Sequence, residues 1–213
     1  MAKISGGLMS LNASGTIGKA VTFSGWKGTN YARAYTKPAN PKSTAQTSTR
    51  SVFSFLHSVY KQGPQIFRDP WEASVKGQAL TAWNAFTKAN LRTLRPITTL
   101  IGMMFSNGAG GGTQPLTVTV TPGAGQLSVA CTVPTPPTGW TIAGVAAAAQ
   151  RDQDPHLAIV APMHAVYNAV SPYTNVITGL TANLHRVGVW IKFTKPDGST
   201  AYGASLLSSG TPT

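Results

Sequence analysis

Histidine and cysteine are the residue types best suited to catalysis or metal binding, and this 213-residue chain has four histidines and a single cysteine. The histidines are His57, His156, His164 and His185. No two of them lie at the spacing typical of a metal-binding pair. Cys131 stands in the alternating apolar run from 127 to 133, where a buried thiol behaves as a small hydrophobic side chain. We therefore predict no catalytic residue, no metal ligand and no bound cofactor.

Carboxylates are also scarce, with five aspartates and glutamates in the whole chain. Asp152 and Asp154 are spaced like the start of a calcium loop, but no third carboxylate or required glycine follows, which favours a solvated turn. Asp69 and Glu72 are explained by the capping of a helix. The glycine run 108–112 lacks the Lys-Ser or Lys-Thr of a phosphate loop. An enzyme is therefore the least expected class of function.

The charge of the chain is strongly positive and unevenly placed. Seventeen lysines and arginines against five acidic residues give a formal net charge of +12, of which residues 1–106 carry +11. Such a balance favours an acidic partner: nucleic acid, anionic lipid or an acidic protein surface. We expect the first half of the chain to meet that partner. Because only 10% of residues are charged, the rest of the surface must be polar without charge.

A glycine-rich stretch, 106–115, predicts the main boundary along the chain. Its composition is typical of a flexible linker, and the step in charge falls at the same place. We predict a basic α+β docking domain over 1–105, the linker over 106–115, and a second domain over 116–213. The first residues lack the apolar core of a signal peptide, and the run 97–105 is too short to span a bilayer. We therefore expect synthesis in the cytoplasm.

The first domain is predicted to combine a β-hairpin with two helices. Alternating residues over 16–35 indicate the hairpin, with turn chemistry at 24–28. A helix should begin at Ser43 with a capping box and end at Gly63. Its apolar face is predicted to contain Val52, Phe53, Leu56, Val59 and Tyr60.

A second helix is predicted from Asp69 at its N-cap and Pro70 in its first turn. Its apolar stripe runs through Val75, Ala79, Trp83 and Phe86. The two helices should form an antiparallel pair. The segment 91–105 is compatible with a helix broken by Pro96 or with a strand, and periodicity does not choose between them.

The second domain is predicted to be an immunoglobulin-like β-sandwich. About seven short β-like runs separated by turn signals occupy about 100 residues, which is typical of that fold. The runs cover 116–121, 126–133, 140–150, 157–162, 174–178, 187–194 and 201–207. Leu127, Val129 and Cys131 share one face of their strand and should lie in the core.

The basic residues of the first half are interleaved with aromatic rings, which makes them the main candidate interface. The predicted docking residues are Lys19, Trp26, Lys27, Tyr31, Arg33, Tyr35, Lys37, Lys42 and Arg50. Charge combined with stacking rings on strands is how single-stranded nucleic acid is held. The alternative, which the alternation with small residues favours, is that the rings pack on the helices while the charges face an acidic protein.

The first half resembles a group of small structural proteins in the virions of tailed bacteriophages. The resemblance covers about residues 10 to 90. It rests on the Trp-Lys-Gly turn at 26–28, the segment Asn40-Pro41-Lys42-Ser43 running on to Gln46 and Arg50, and Ala82-Trp83-Asn84-Ala85-Phe86. Separately, the run 176–181 resembles the approach to the penultimate strand of fibronectin type III domains.

The resemblance implies a non-enzymatic virion component, best described as a capsid decoration or cement protein that docks through its basic domain. The expected partners are the major capsid protein or other virion proteins, with self-association into an oligomer. No membrane partner is expected. A neck, tail-tube or baseplate protein is a second interpretation, and a nucleic-acid-binding protein that uses the basic aromatic hairpin is a third.

Overall fold

The computed structural model describes residues 2–3, 14–26, 29–37, 39–157 and 160–213. The chain divides into two compact units, Met1–Lys42 and Ser43–Thr213, which we call the arm and the body. Helices and antiparallel sheets are both present, with a large share of β structure, so the mixed α+β class predicted from the sequence is confirmed. The division after Lys42 differs from the predicted boundary at 106–115.

The arm is a small antiparallel sheet. Its strands are β1 (Ala2–Lys3), β2 (Gly15–Ile17), β3 (Val21–Trp26) and β4 (Thr29–Ala34), in the order β1-β4-β3-β2. The predicted hairpin is a three-stranded meander because the chain turns at 18–20, where Gly18 and Lys19 both have φ 54°. The predicted single strand through Lys19 is therefore two strands, and Ile17 pairs with Val21 across the turn.

The helices of the body are α1 (Thr44–Gln62), α2 (Gln65–Ser74) and α3 (Ala82–Leu94). α1 begins after Ser43 and ends before Gly63, as predicted, but the Ser43 side chain makes no capping hydrogen bond. It buries Phe55, whereas the predicted core residue Phe53 is 47% exposed. No helix of the described residues is long and apolar enough to cross a membrane.

The segment predicted to form the second helix contains two helices, α2 and α3. Three helices therefore replace the predicted antiparallel pair. α2 begins four residues before Asp69, which places Pro70 inside the helix and removes Asp69 from the N-cap. The chain then turns at Gly77, whose φ of 78° favours glycine. α3 starts anew at Thr81, whose hydroxyl oxygen accepts a hydrogen bond from the Asn84 backbone N–H at 3.2 Å.

The segment 95–105 is neither helix nor strand. α3 ends at Leu94; Arg95 still has helical backbone angles, but Pro96 has no N–H with which to continue the helix. Side chains hold the irregular backbone that follows. Asn90 Oδ1 accepts from Met104 N at 2.7 Å, and its amide donates to Met104 O at 3.2 Å. Asp152 Oδ1 accepts from Leu100 N at 2.6 Å.

Two antiparallel sheets form the rest of the body. Their strands are β5 (Thr117–Gly123), β6 (Gln126–Thr132), β7 (Thr141–Arg151), β8 (His164–Asn168), β9 (Thr174–Thr178), β10 (His185–Thr194), β11 (Thr200–Tyr202) and β12 (Leu206–Gly210). One sheet has the order β11-β10-β7-β8, with β12 also paired to β10, and the other has the order β5-β6-β9.

The prediction of a strand at 157–162 is wrong, and the next strand, β8, begins later, at His164. A turn occupies this part of the chain because the Asp154 side chain accepts from His156 N at 2.8 Å and the Leu157 N–H bonds to Asp154 O at 3.1 Å. Such aspartate turns compete with strand pairing. Residues 158–159 lie outside the described residues.

The larger sheet is buried on both faces, which makes the body three layers deep. Residues of one parity, such as Val145, Val189 and Ile191, pack against the smaller sheet in a core with Leu127 and Val129. Residues of the other parity pack on the helices in a second core, and they include Ala146, Ala148, Trp190 and Tyr202. The alanine run of β7 fits this middle position because small side chains let both outer layers approach.

The predicted linker is built into the body. Asn107 forms a β-bridge with Ala204, and Gly112 forms one with Gly203. The Ser106 hydroxyl donates to Gly203 O at 2.7 Å. A Cβ at Gly112 would lie 2.6 Å from the carbonyl carbon of Tyr202, so glycine here permits close backbone packing. Glycine that allows close approach and glycine that provides flexibility look alike in a sequence, which explains the misplaced boundary.

Candidate interaction surface

The arm holds most of the residues predicted to form a docking interface. The six whose surroundings the structure describes are Lys19, Tyr31, Arg33, Tyr35, Lys37 and Lys42. Trp26 is the last residue of β3, and its backbone pairs with Thr29. Lys27 lies outside the described residues. Arg50 lies on α1 and therefore belongs to the body, so the structure does not group it with the others.

The register of the arm strands places most of the large apolar residues on one face of the sheet. Residues directly opposite each other in an antiparallel pair point to the same face. Ile17 pairs with Val21, Val21 with Ala34, and Phe23 with Ala32. We call the surface formed by Ile17, Val21, Phe23, Ala32 and Ala34 the apolar face; Asn30, opposite Gly25, lies at its end.

The opposite face of the arm carries hydroxyl groups, a ring and a charge. Thr16 pairs with Thr22, Thr22 with Arg33, and Ser24 with Tyr31. The Thr16 and Thr22 hydroxyl oxygens are 3.0 Å apart, in agreement with a shared face. We call the surface formed by Thr16, Thr22, Ser24, Tyr31 and Arg33 the polar face.

Among the arm residues whose burial the structure describes, 14–25, 30–37 and 39–42, none is buried. On the apolar face, Ile17 is 56% exposed and Val21 is 37% exposed. Tyr35, which follows β4, is 41% exposed while its backbone N–H donates to Ala20 O at 2.7 Å. Ile17 and Val21 were not among the predicted interface residues, although their alternation with small residues was visible in the sequence. They are additional candidates because the two side chains are neighbours on one face, and adjoining exposed apolar side chains can form a contact patch.

The charge of the arm has one sign. Residues 1–42 contain six basic residues and no acidic residue: Lys3, Lys19, Lys27, Arg33, Lys37 and Lys42. All five acidic residues of the chain lie in the body, which keeps a net charge of +6. A positive charge of one sign favours association of the arm with acidic surfaces.

The side chains considered for catalysis or metal binding, such as Cys131 and Asp152, make contacts that give them a structural role. Burial raises the pKa of Cys131 to about 11, and its thiol donates to Tyr173 O at 3.9 Å, so the group stays protonated at neutral pH. The prediction that Asp152 lies in a solvated turn is wrong, because its carboxylate forms a 2.7 Å ion pair with the Arg186 guanidinium. Among the described residues, no group of three or more His, Cys, Asp and Glu side chains is placed to hold a metal ion.

Two of the histidines that are distant in sequence come together at one end of the larger sheet. His164 and His185 line a cavity of about 80 Å³ together with Arg151. His185 is buried, and its Nδ1 lies 2.7 Å from Asn183 O. Burial is the main reason its pKa is lowered, and the nearby His164 and Arg151 act in the same direction. The pairing of β10 with β7 and of β7 with β8 creates this proximity, which the sequence spacing could not show.

Comparison with known proteins leaves the family of this chain open. No family model matches the sequence, and a comparison with curated protein sequences finds no match. A solved structure described as "Myokine structure" aligns with 47% of this chain and 98% of its own chain, at 18% identity and a TM-score of 0.34. A similarity at that level supports no argument about fold or function.

Proposed function

We propose that this chain is a non-enzymatic structural protein of a tailed-bacteriophage particle, a capsid decoration or cement protein that docks through its arm. The observation that carries the proposal is the character of the arm. Residues 1–42 have six positive charges and no negative charge, and none of the side chains at 14–25, 30–37 and 39–42 is buried.

A small sheet whose described side chains are not buried gains stability when a partner covers it. Small sheets are stable in water when an apolar face is covered by another element, since backbone hydrogen bonding alone contributes little net free energy. The arm has such a face, and its large side chains Ile17 and Val21 are exposed. The single sign of its charge favours an acidic partner and rapid, oriented association.

The body suits a module displayed on a particle. We propose that its two sheets form an immunoglobulin-like sandwich. The support is the antiparallel order β5-β6-β9 in one sheet and β8-β7-β10 with β11 and β12 in the other, packed around a common core. Modules of this kind are commonly attached to phage capsids and tails, which agrees with the resemblance over residues 10–90.

A binding experiment with the full chain tests the proposal against its alternatives. Particles of the encoding phage assembled without this chain serve as one probe, and a 30-nucleotide single-stranded DNA serves as the other. We expect the chain to saturate a fixed number of sites on the particles and to bind the DNA weakly, with binding that is lost between low and moderate salt. Tight DNA binding without particle binding would favour the nucleic-acid interpretation.

Charge reversal assigns the binding to the arm. The substitutions Lys19→Glu and Lys37→Glu change the net charge by four units within the arm. The matched control, Lys61→Glu with Lys88→Glu, makes the same change at exposed positions on the helices of the body. The arm variant should lose particle binding at least tenfold more than the control. Equal losses would mean that net charge matters and that the arm has no special role.

A further inference from the structure

Resting on the proposed function, we infer that the apolar face of the arm is the contact surface, and that the partner is an acidic protein with an apolar centre. The polar face, which carries Tyr31 and Arg33, is then directed away from that contact. This assignment differs from the sequence prediction, which placed both residues in the interface.

The two faces of the arm differ in what they gain from being covered. On the apolar face, Ile17 and Val21 expose aliphatic side chains that have no hydrogen bonds to give up and gain hydrophobic free energy on burial. On the polar face, Thr16, Thr22 and Arg33 would have to exchange water for new hydrogen bonds. A partner of matching shape is therefore held more tightly by the apolar face.

Lysines lie at the margin of the apolar face and not at its centre. Lys19 occupies the turn that joins Ile17 to Val21, and Lys37 follows three residues after Ala34. Both are exposed. An apolar centre with charged residues around it is the common arrangement of specific protein interfaces, in which the rim charges control the association rate.

Charge complementarity selects the partner. A second copy of the chain is disfavoured because its body carries +6 and its arm carries +6. Nucleic acid would satisfy the lysines, but its bases are bound by exposed stacking rings, whereas the one ring of the apolar face, Phe23, is half-buried and its exposed side chains, Ile17 and Val21, are aliphatic. An acidic protein surface with exposed apolar residues satisfies both features.

The test compares two double variants of the full chain. The apolar-face variant is Ile17→Thr with Val21→Thr, which keeps residues that favour strands. The matched control is Thr16→Val with Thr22→Val on the polar face. The probe is the particle assembled without this chain, and binding is measured at several salt concentrations.

We expect the apolar-face variant to bind about a hundredfold more weakly, roughly tenfold per residue, with an unchanged dependence on salt. The polar-face control should bind within threefold of the wild type. Neutralising the margin with Lys19→Gln and Lys37→Gln should weaken binding and flatten the salt dependence.

Each other outcome has its own meaning. If the wild-type chain does not bind the particles, the proposed function itself fails. If the wild type binds and the apolar-face variant binds equally well, or if the polar-face control is the weaker one, the proposed function stands and the assignment of the face is overturned. Loss of thermal stability in the apolar-face variant away from the particle would also overturn it, because the face would then be covered by the chain itself.

Discussion

Replacement of Gly188 by alanine should destabilise the body, because Gly188 lies where the loop after α3 rests on the larger sheet. A Cβ at this position would collide with Cγ and Cδ2 of the Phe105 ring and would lie 2.7 Å from Phe105 Cβ. Phe105 is fully buried, so its ring has no route into solvent. The backbone and the ring would have to separate.

The two opposing effects of Gly188→Ala can be compared. Alanine in a strand gains about 0.5–1 kcal/mol over glycine through the lower entropy of the unfolded chain. An additional methyl group in a packed core costs about 1–3 kcal/mol. Since the collision involves three atoms of one buried side chain, we expect the cost to prevail, with a net loss of about 1–2 kcal/mol.

Urea unfolding of the full chain followed by circular dichroism measures this loss, and a double-mutant cycle identifies its cause. Phe105→Ala alone should cost about 3–5 kcal/mol. Two of the three atoms nearest the added methyl group belong to the ring, so Gly188→Ala should cost clearly less in the Phe105→Ala background. A neutral Gly188→Ala, or strictly additive effects, would refute the packing of this loop on the sheet.

Three further predictions concern buried polar groups of the body. Asn90→Asp should cost about 1–3 kcal/mol in urea unfolding, because it replaces the amide that donates to Met104 O by a carboxylate. Asp152→Ala should cost about 2 kcal/mol in the same assay, since it leaves the half-buried Arg186 without its ion pair. His185→Gln should make the stability of the fold less sensitive to acid. Because the pKa of His185 is lowered in the folded chain, its contribution to the free energy of unfolding is complete above about pH 6.5 and declines below that pH. Equal losses of stability between pH 7.5 and 5.5 in wild type and variant would contradict this role.

Local sequence patterns correctly predicted the elements that depend on neighbouring residues in the chain, such as α1 and β6. The start of α1 after Ser43 and its end at Gly63 follow from standard helix boundary residues. The alternation of Leu127 and Val129 correctly indicated a buried face of β6. Such signals work because they depend on neighbours in the chain and on burial of one side.

The remaining features depend on contacts between distant residues. Phe53 and Phe55 both fit a helix, and only tertiary packing buries Phe55 while Phe53 stays 47% exposed with its ring against Trp83. The glycines around 108–112 have the composition of a linker, yet they pack against β11. The exposure of Ile17 and the presence of the turn at Lys19 likewise follow from the register of β2 on β3.

The proposed role as a capsid decoration or cement protein is tested most directly by the number of copies of this chain in purified particles of the phage that the proposal assigns it to. Quantitative mass spectrometry against the major capsid protein gives that number. A capsid decoration or cement protein predicts a ratio near one, or a simple fraction such as one third. A ratio of a few per cent would indicate a neck or tail protein. Absence of the chain from the particle would contradict the structural role.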